Sequence, residues 1–178
     1  VAGAMQPDYG RIVLDDVVYL PGQKPDYIGG LRESQFAFLE AYLSAADKSR
    51  LLVIAAHIPL LQSGGGRETF RAADRKRLFA LLAPFRDVLL LTAHSHTQTQ
   101  FRHGPDSGWF GSGRLYEYNA GATCGAFWSG LKDAAGIPDS IMSDGTPNGY
   151  ARLLIGQGDY RLSWFNARQE PNLAMAVH

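Results

Sequence analysis

Three histidines follow two apolar segments of the sequence, and side chains of this type at this spacing can bind a transition metal. The segment 51–56 is followed by His57, and the segment 89–93 is followed by His94 and His96. A short apolar run is typical of a buried strand, and α/β sheets usually build their sites beyond the carboxyl ends of such strands. Neutral imidazole is a common ligand for transition metals. The pattern therefore predicts a metal site that contains these three imidazoles.

Two helices are predicted around these strands. The first covers residues 31–46, and the second runs from about 69 to 82 and is closed by Pro84. The apolar face of the first helix is predicted from Leu31, Phe38, Leu39, Tyr42, Leu43 and Ala46. A strand, a helix and a second strand of these lengths favour a parallel pair with a right-handed crossover. Such a unit places His57 and His94 at the same edge of the sheet.

Further segments are predicted to be strands. Residues 11–20 are strand-like, and residues 97–102 and 114–119 alternate like strands of an antiparallel or edge region. Residues 149–166 are predicted to form a hairpin that turns at 156–159. The residues expected to share one face of that hairpin are Tyr160, Leu162 and Trp164.

The two histidine motifs resemble those of the calcineurin-like metallophosphoesterases, in which one apolar strand ends in His-x-Pro and a later one in His-x-His. The usual glycine before the second motif is Ala93 here, a change that removes no ligand. A second likeness lies in Cys-Gly-Ala-Phe-Trp-Ser-Gly at 124–130 and Asp-Gly-Thr-Pro-Asn-Gly-Tyr at 144–150. These stretches resemble a bacterial branch of the family that has its own carboxy-terminal domain. Together the resemblances cover most of residues 11–166.

The resemblance implies a fold class and a division of the chain. The expected fold is α/β, as part of a metallophosphoesterase-type layered α/β/β/α sandwich with mixed sheets, followed by antiparallel strands. Residues 1–120 are expected to be the second half of the catalytic domain, and residues 121–178 a β-rich carboxy-terminal extension. The family's earlier motifs, Asp-x-His, Gly-Asp and Gly-Asn-His, are absent from the sequence. We therefore expect that the N-terminal half of the same protein carries the other ligands, and that this segment alone is inactive.

The same resemblance implies a binuclear hydrolase of phosphoesters. Its cofactors would be two divalent metal ions (Mn, Fe, Zn or Ni), with His57 and His94 on one ion and His96 on its neighbour. The substrate would be a phosphorylated small molecule or a phosphodiester. Two alternatives stay open. One is a non-catalytic binding module of the same fold, and the other is a mononuclear zinc hydrolase, since three protein ligands and a water complete a catalytic zinc site.

Five further residues are candidates for contact with the substrate. Arg67 offers a guanidinium group that matches phosphate geometry, although a solvated helix face explains it equally well. Cys124 lies in a glycine-rich turn, where a packing role is favoured over a nucleophile. Asp144, Asn148 and Tyr150 could shape a pocket, and turn chemistry alone also explains the asparagine.

Charge and composition exclude several classes of function. Lys plus Arg and Asp plus Glu both number 17, so the sequence carries no nucleic-acid-binding signature. No apolar stretch approaches the roughly 18 residues that span a bilayer. A single cysteine excludes an internal disulfide. Asp15 and Asp16 lack the neighbouring glycine and histidine of a metal motif, so we interpret both as structural.

Overall fold

The computed structural model describes residues 9–61, 68–121, 129–140, 142, 144–156 and 158–167. Its helices are α1 (Glu33–Ala45) and α2 (Ala72–Leu82), with a short 3₁₀ turn at Pro105–Ser107. Its strands are β1 (Tyr9–Val13), β2 (Val17–Tyr19), β3 (Tyr27–Gly29), β4 (Leu51–Ala55), β5 (Asp87–Thr92), β6 (Thr99–Arg102), β7 (Arg114–Asn119), β8 (Ser129–Lys132), β9 (Pro138–Ser140), β10 (Gly149–Gly156) and β11 (Asp159–Asn166). Neither α-helix of the described residues has the length and apolar character of a membrane span.

Five strands form the central sheet, in the order β1-β4-β5-β7-β6. Strands β1, β4, β5 and β7 are parallel, and β6 runs antiparallel beside β7. Strands β4 and β5 pair in parallel, and α2 lies between them in the chain. This confirms the predicted parallel strand-helix-strand unit. The carboxyl ends of β4 and β5 meet at one edge of the sheet, just before His57 and His94. The chain therefore has the predicted mixed α/β class, followed by antiparallel strands.

Both faces of the central sheet are covered. Helices α1 and α2 contribute to the main hydrophobic core on one face. The hairpin predicted over 149–166 is confirmed, with Gly156 opposite Asp159 at its turn. This hairpin covers three buried sheet residues on the other face, Leu51, Val53 and Leu89. Burial on both faces explains why β4 is a continuous apolar run instead of an alternating one.

The apolar face of α1 differs from the predicted face. Its buried residues are Phe36, Leu39 and Leu43, which fall on one side of the helix. The predicted Phe38 and Tyr42 are 50% and 37% exposed, and their rings stack with centroids 5.9 Å apart. The prediction was right for Leu39 and Leu43 and wrong for Phe38 and Tyr42, because helical spacing fits two neighbouring stripes of this segment. Only contact with the sheet selects between them.

Residues 11–20, which were predicted to be strand-like, belong to two strands. Strands β1 and β2 are separated by residues 14–16. The break contains Asp16, whose side chain is buried and 1% exposed.

The strands predicted at 97–102 and 114–119 are confirmed as β6 and β7, which pair in antiparallel fashion.

Candidate metal site

The imidazoles of His57 and His94 meet at the carboxyl edge of the sheet. His57 Nε2 lies 3.0 Å from His94 Nδ1, and the ring centroids are 4.9 Å apart. The two loops are also joined by the Ala93 N–H, which donates to His57 O at 3.0 Å. A tetrahedral ion at about 2.0–2.1 Å from each nitrogen would hold the two atoms roughly 3.3–3.4 Å apart. The pair therefore has the geometry of two ligands that can share one ion after a small separation.

His94 and His96 occupy a backbone conformation that non-glycine residues rarely adopt. Their φ angles are +67° and +54°, in the left-handed region, which costs roughly 1–2 kcal/mol for most side chains. They lie on the turn that leaves β5, where the Ser95 N–H donates to Ala93 O at 2.7 Å. Strain at two residues that can bind a metal indicates a functional site, because the fold alone does not require histidine there.

Asp16 holds the backbone of the loop that carries His57. Its Oδ1 accepts a hydrogen bond from the His57 N–H, and its Oδ2 accepts one from the Ile58 N–H, both at 2.8 Å. Burial raises the pKa of the Asp16 carboxyl group, while the two N–H donors act to lower it. Its neighbour Asp15 instead lies at the surface and pairs with Arg32 at 2.9 Å. The two aspartates thus have different structural roles, and only Asp16 supports a candidate ligand.

Asn119 supports the second histidine loop from the end of β7. Its Nδ2 donates to Ser95 Oγ at 2.8 Å, and Ser95 lies between His94 and His96. Its Oδ1 accepts a hydrogen bond from the Gly121 N–H at 2.9 Å. Sequence reasoning missed this residue. The sequence did offer one signal, an amide side chain at the end of a predicted strand. A buried amide needs hydrogen-bond partners, so such a residue is a candidate for holding a neighbouring loop.

Tyr27 contacts the outer side of the His94 imidazole, and it too was missed. Its hydroxyl lies 3.4 Å from His94 Nε2, and the two rings meet edge to face. For His57 Nε2 and His94 Nδ1 to bind one ion, both atoms must carry lone pairs. The His94 ring proton must then lie on Nε2, where it can be donated to the Tyr27 hydroxyl. Tyr27, Glu68 and Thr69 also border a small cavity of about 80 Å³ beside His94.

The surroundings of His94 favour its neutral form. Burial is the main cause that lowers the pKa of His94 below its ordinary value of 6.5, and the charges of His57 and His96 add to the effect. The folded state therefore binds fewer protons at His94 than the unfolded chain does as the pH falls through 6.5. We expect the free energy of unfolding of the metal-free protein to decrease over that range. Urea unfolding at a series of pH values measures this, and an equal decrease in His94→Gly would contradict the assignment to His94.

Asp144, one of the predicted substrate residues, is held beside the loop that follows His96. Its Oδ2 accepts a hydrogen bond from the Gln98 N–H at 2.7 Å. Its Oδ1 accepts one from the Thr146 N–H at 3.0 Å. The carboxylate therefore closes its own turn and fixes the backbone two residues beyond His96. Its contact with a substrate stays a prediction.

Two of the other predicted substrate residues, Asn148 and Tyr150, contact residues of the carboxy-terminal strands. Asn148 Nδ2 donates to Pro138 O at 3.0 Å. Tyr150 is 56% exposed, and its ring stacks on an aromatic ring of β11. Arg67 and Cys124 lie outside the described residues. The roles of all four in substrate binding stay predictions.

The imidazoles fit part of a metal site. Among the residues that the structure describes, no group of three or more His, Cys, Asp or Glu side chains is arranged to hold an ion. His57 and His94 form a close pair, and His96 is near enough to influence His94 electrostatically. A cavity of about 840 Å³ between β6, β7 and β11 includes none of these three side chains. The described residues therefore offer two ligands for one ion, and the remaining ligands would have to come from elsewhere.

A known protein family matches the carboxy-terminal part of the chain. Residues 117–178 match the family model described as the C terminal of calcineurin-like phosphoesterase. The match confirms, for this part of the chain, the resemblance predicted from the sequence. That family generally uses divalent metals. No curated protein matches the chain.

Proposed function

We propose that this chain supplies imidazole ligands to a divalent-metal centre that hydrolyses phosphoesters. The observation that carries the proposal is the 3.0 Å contact between His57 Nε2 and His94 Nδ1 at the carboxyl edge of the sheet. Two nitrogen atoms at this separation suit one ion. The family match over 117–178 supports the same class of reaction.

Each histidine has its own role in this proposal. His57 and His94 would hold one divalent ion, and His96 would hold a second ion beside it, drawn from Mn, Fe, Zn or Ni. Such a pair of ions activates water and neutralises the charge that develops on a phosphoryl group. The lowered pKa of His94 keeps its ring neutral and ready to bind at neutral pH. The further ligands of a binuclear site would come from another segment of the same protein, and the substrate would be a phosphorylated small molecule or a phosphodiester.

A mononuclear three-histidine zinc site is the second candidate. It is the alternative that the sequence leaves open, although no three such side chains among the described residues are arranged to hold an ion. Three imidazoles and a water complete a catalytic zinc site without other protein ligands. The two candidates differ in what the loss of His96 does to the metal content of the chain.

Metal content per chain, measured by inductively coupled plasma mass spectrometry after loading with Zn²⁺ or Mn²⁺, tests both candidates. We expect His96→Ala to keep the ion that His57 and His94 share. Loss of all metal in this variant would instead favour the three-histidine site. The control variant His178→Ala should bind as much metal as the wild type. A wild-type chain that binds no metal would overturn the proposal in favour of a non-catalytic binding module.

A further inference from the structure

Glu117 lies beneath the two histidine loops and contacts both of them through one oxygen atom. It is on β7 and is 2% exposed. Its Oε1 accepts a hydrogen bond from the Leu60 N–H and another from the Thr92 hydroxyl, each at 3.0 Å. Leu60 follows His57 by three residues, and Thr92 precedes His94 by two. We propose that Glu117 is a positioning residue that sets the separation of the His57 and His94 imidazoles, an inference that rests on the proposed metal centre.

The other oxygen of Glu117 is held by His103. His103 Nε2 lies 2.8 Å from Glu117 Oε2, and the His103 side chain is fully buried. On the far side of the ring, Nδ1 lies 3.2 Å from Ser107 Oγ. The Ser107 hydroxyl in turn donates to Gly104 O at 2.8 Å and accepts from the Gly104 N–H at 3.1 Å, so the His103 ring is held from both sides. Both oxygens of Glu117 are thus held, and the carboxyl group has one fixed orientation.

The Glu117 contacts are formed in an apolar environment. Rings from α2 and β6, Phe79 and Phe101, lie against His103 with centroids 5.2 and 4.8 Å away. In such surroundings, a hydrogen-bond donor that loses its acceptor remains without a partner, and this raises the free energy of the folded state. Without Glu117, the Leu60 N–H and the Thr92 hydroxyl would have to find new partners. The loop that carries His57 would then move away from the end of β5.

Asp87 provides a matched control for the substitution of Glu117. It is 1% exposed, lies at the start of β5 and pairs with Arg114 at the start of β7. Asp87 and Glu117 are therefore buried carboxylates that join the same two strands at opposite ends. A general loss of sheet stability should follow from either substitution, whereas a change at the histidines should follow only from substitution of Glu117.

The test compares Glu117→Leu, Glu117→Gln and Asp87→Asn in the full chain. Zn²⁺ affinity is measured by competition with a chromophoric chelator, and the imidazole nitrogen signals of His57 and His94 are recorded by NMR in the metal-free protein. We expect Glu117→Leu to weaken Zn²⁺ binding about 10–100-fold and to shift both sets of signals, since loss of an outer hydrogen-bond partner has effects of this size. Glu117→Gln should stay near the wild type, because its amide oxygen still accepts both bonds and its NH₂ group can donate to the histidine beneath it. Asp87→Asn should lower the unfolding midpoint and leave Zn²⁺ affinity unchanged.

If Glu117→Leu folds, either of two outcomes would overturn the proposal. One is a Glu117→Leu protein with wild-type Zn²⁺ affinity and unshifted His57 and His94 signals. The other is an Asp87→Asn protein that loses as much affinity as Glu117→Leu, which would show a general effect of stability. If Glu117→Leu does not fold, Thr92→Val removes one of the two donors, and it should give a smaller loss of affinity with shifted signals, while unshifted signals would overturn the proposal. If the wild type binds no Zn²⁺, the proposed function fails, and the metal-free spectra still decide the role of Glu117.

Discussion

Replacement of His94 by glycine is expected to remove the ion that His57 and His94 share without destabilising the metal-free chain. The His94 ring is one of the two proposed ligands of this ion, with Nδ1 3.0 Å from His57 Nε2. Loss of an outer partner of a metal ligand weakens binding by about 10–100-fold, so we expect loss of the ligand itself to cost more than about 100-fold in affinity. Glycine adopts the φ angle of +67° at this position freely. Zn²⁺ titration and urea unfolding of the metal-free protein measure the two effects.

The variant His94→Ala is the matched control for this prediction. It loses the same ring and should lose metal to the same extent. Alanine, however, retains the steric cost of the left-handed backbone, which amounts to roughly 1–2 kcal/mol. We therefore expect His94→Gly to be more stable than His94→Ala by about 1 kcal/mol in the metal-free state. Equal stability of the two variants would show that the backbone at His94 is not strained, and wild-type Zn²⁺ affinity in either would exclude His94 as a ligand.

Replacement of Asp16 by alanine is expected to cause a large loss of stability. The substitution leaves the N–H groups of His57 and Ile58 without the acceptors that now lie 2.8 Å away. A buried donor without a partner costs about 1–3 kcal/mol, so two of them should lower the free energy of unfolding by about 2–6 kcal/mol. Urea unfolding at neutral pH measures this loss. Because these groups belong to the loop that carries His57, metal affinity should fall as well.

Asp15→Ala is the control for the Asp16 substitution, since it removes the same chemical group one residue earlier. Asp15 is exposed and pairs with Arg32 at the surface, where an ion pair contributes about 0–1 kcal/mol. Its loss should hardly change either the stability or the affinity for metal. Similar losses in the two variants would mean that the hydrogen bonds between Asp16 and the His57 loop contribute no more to stability and metal affinity than a surface ion pair does.

The local sequence predicts the histidine pair well. Apolar runs that end in histidine are sufficient to place His57 and His94 after buried strands, because a strand covered on both faces must be apolar throughout. The order of strand, helix and strand then predicts a parallel pair, whose carboxyl ends meet at one edge. The hairpin at 149–166 was predictable for a similar reason, since its turn residues and its alternation are both local features.

The contacts that support the histidines were not predictable in this way. Asp15 and Asp16 are adjacent and chemically identical, and only Asp16 reaches the His57 loop, 41 residues away in sequence. Glu117 contacts Leu60, which is 57 residues away. The first contact depends on β1 lying beside β4, and the second on β7 lying beside β5, and no local pattern specifies either neighbour.

The sequence by itself therefore determined which residues can bind a metal and the sheet edge at which they lie. Its hydrophobic pattern and its order of elements are sufficient for that, because strands and turns are specified by residues close together in the chain. Only the tertiary structure decided which polar residues hold the metal-binding atoms of His57 and His94 3.0 Å apart. It also decided which stripe of α1 is buried. The physical reason is the same in both cases: a buried contact between distant segments depends on packing, and local spacing permits several packings.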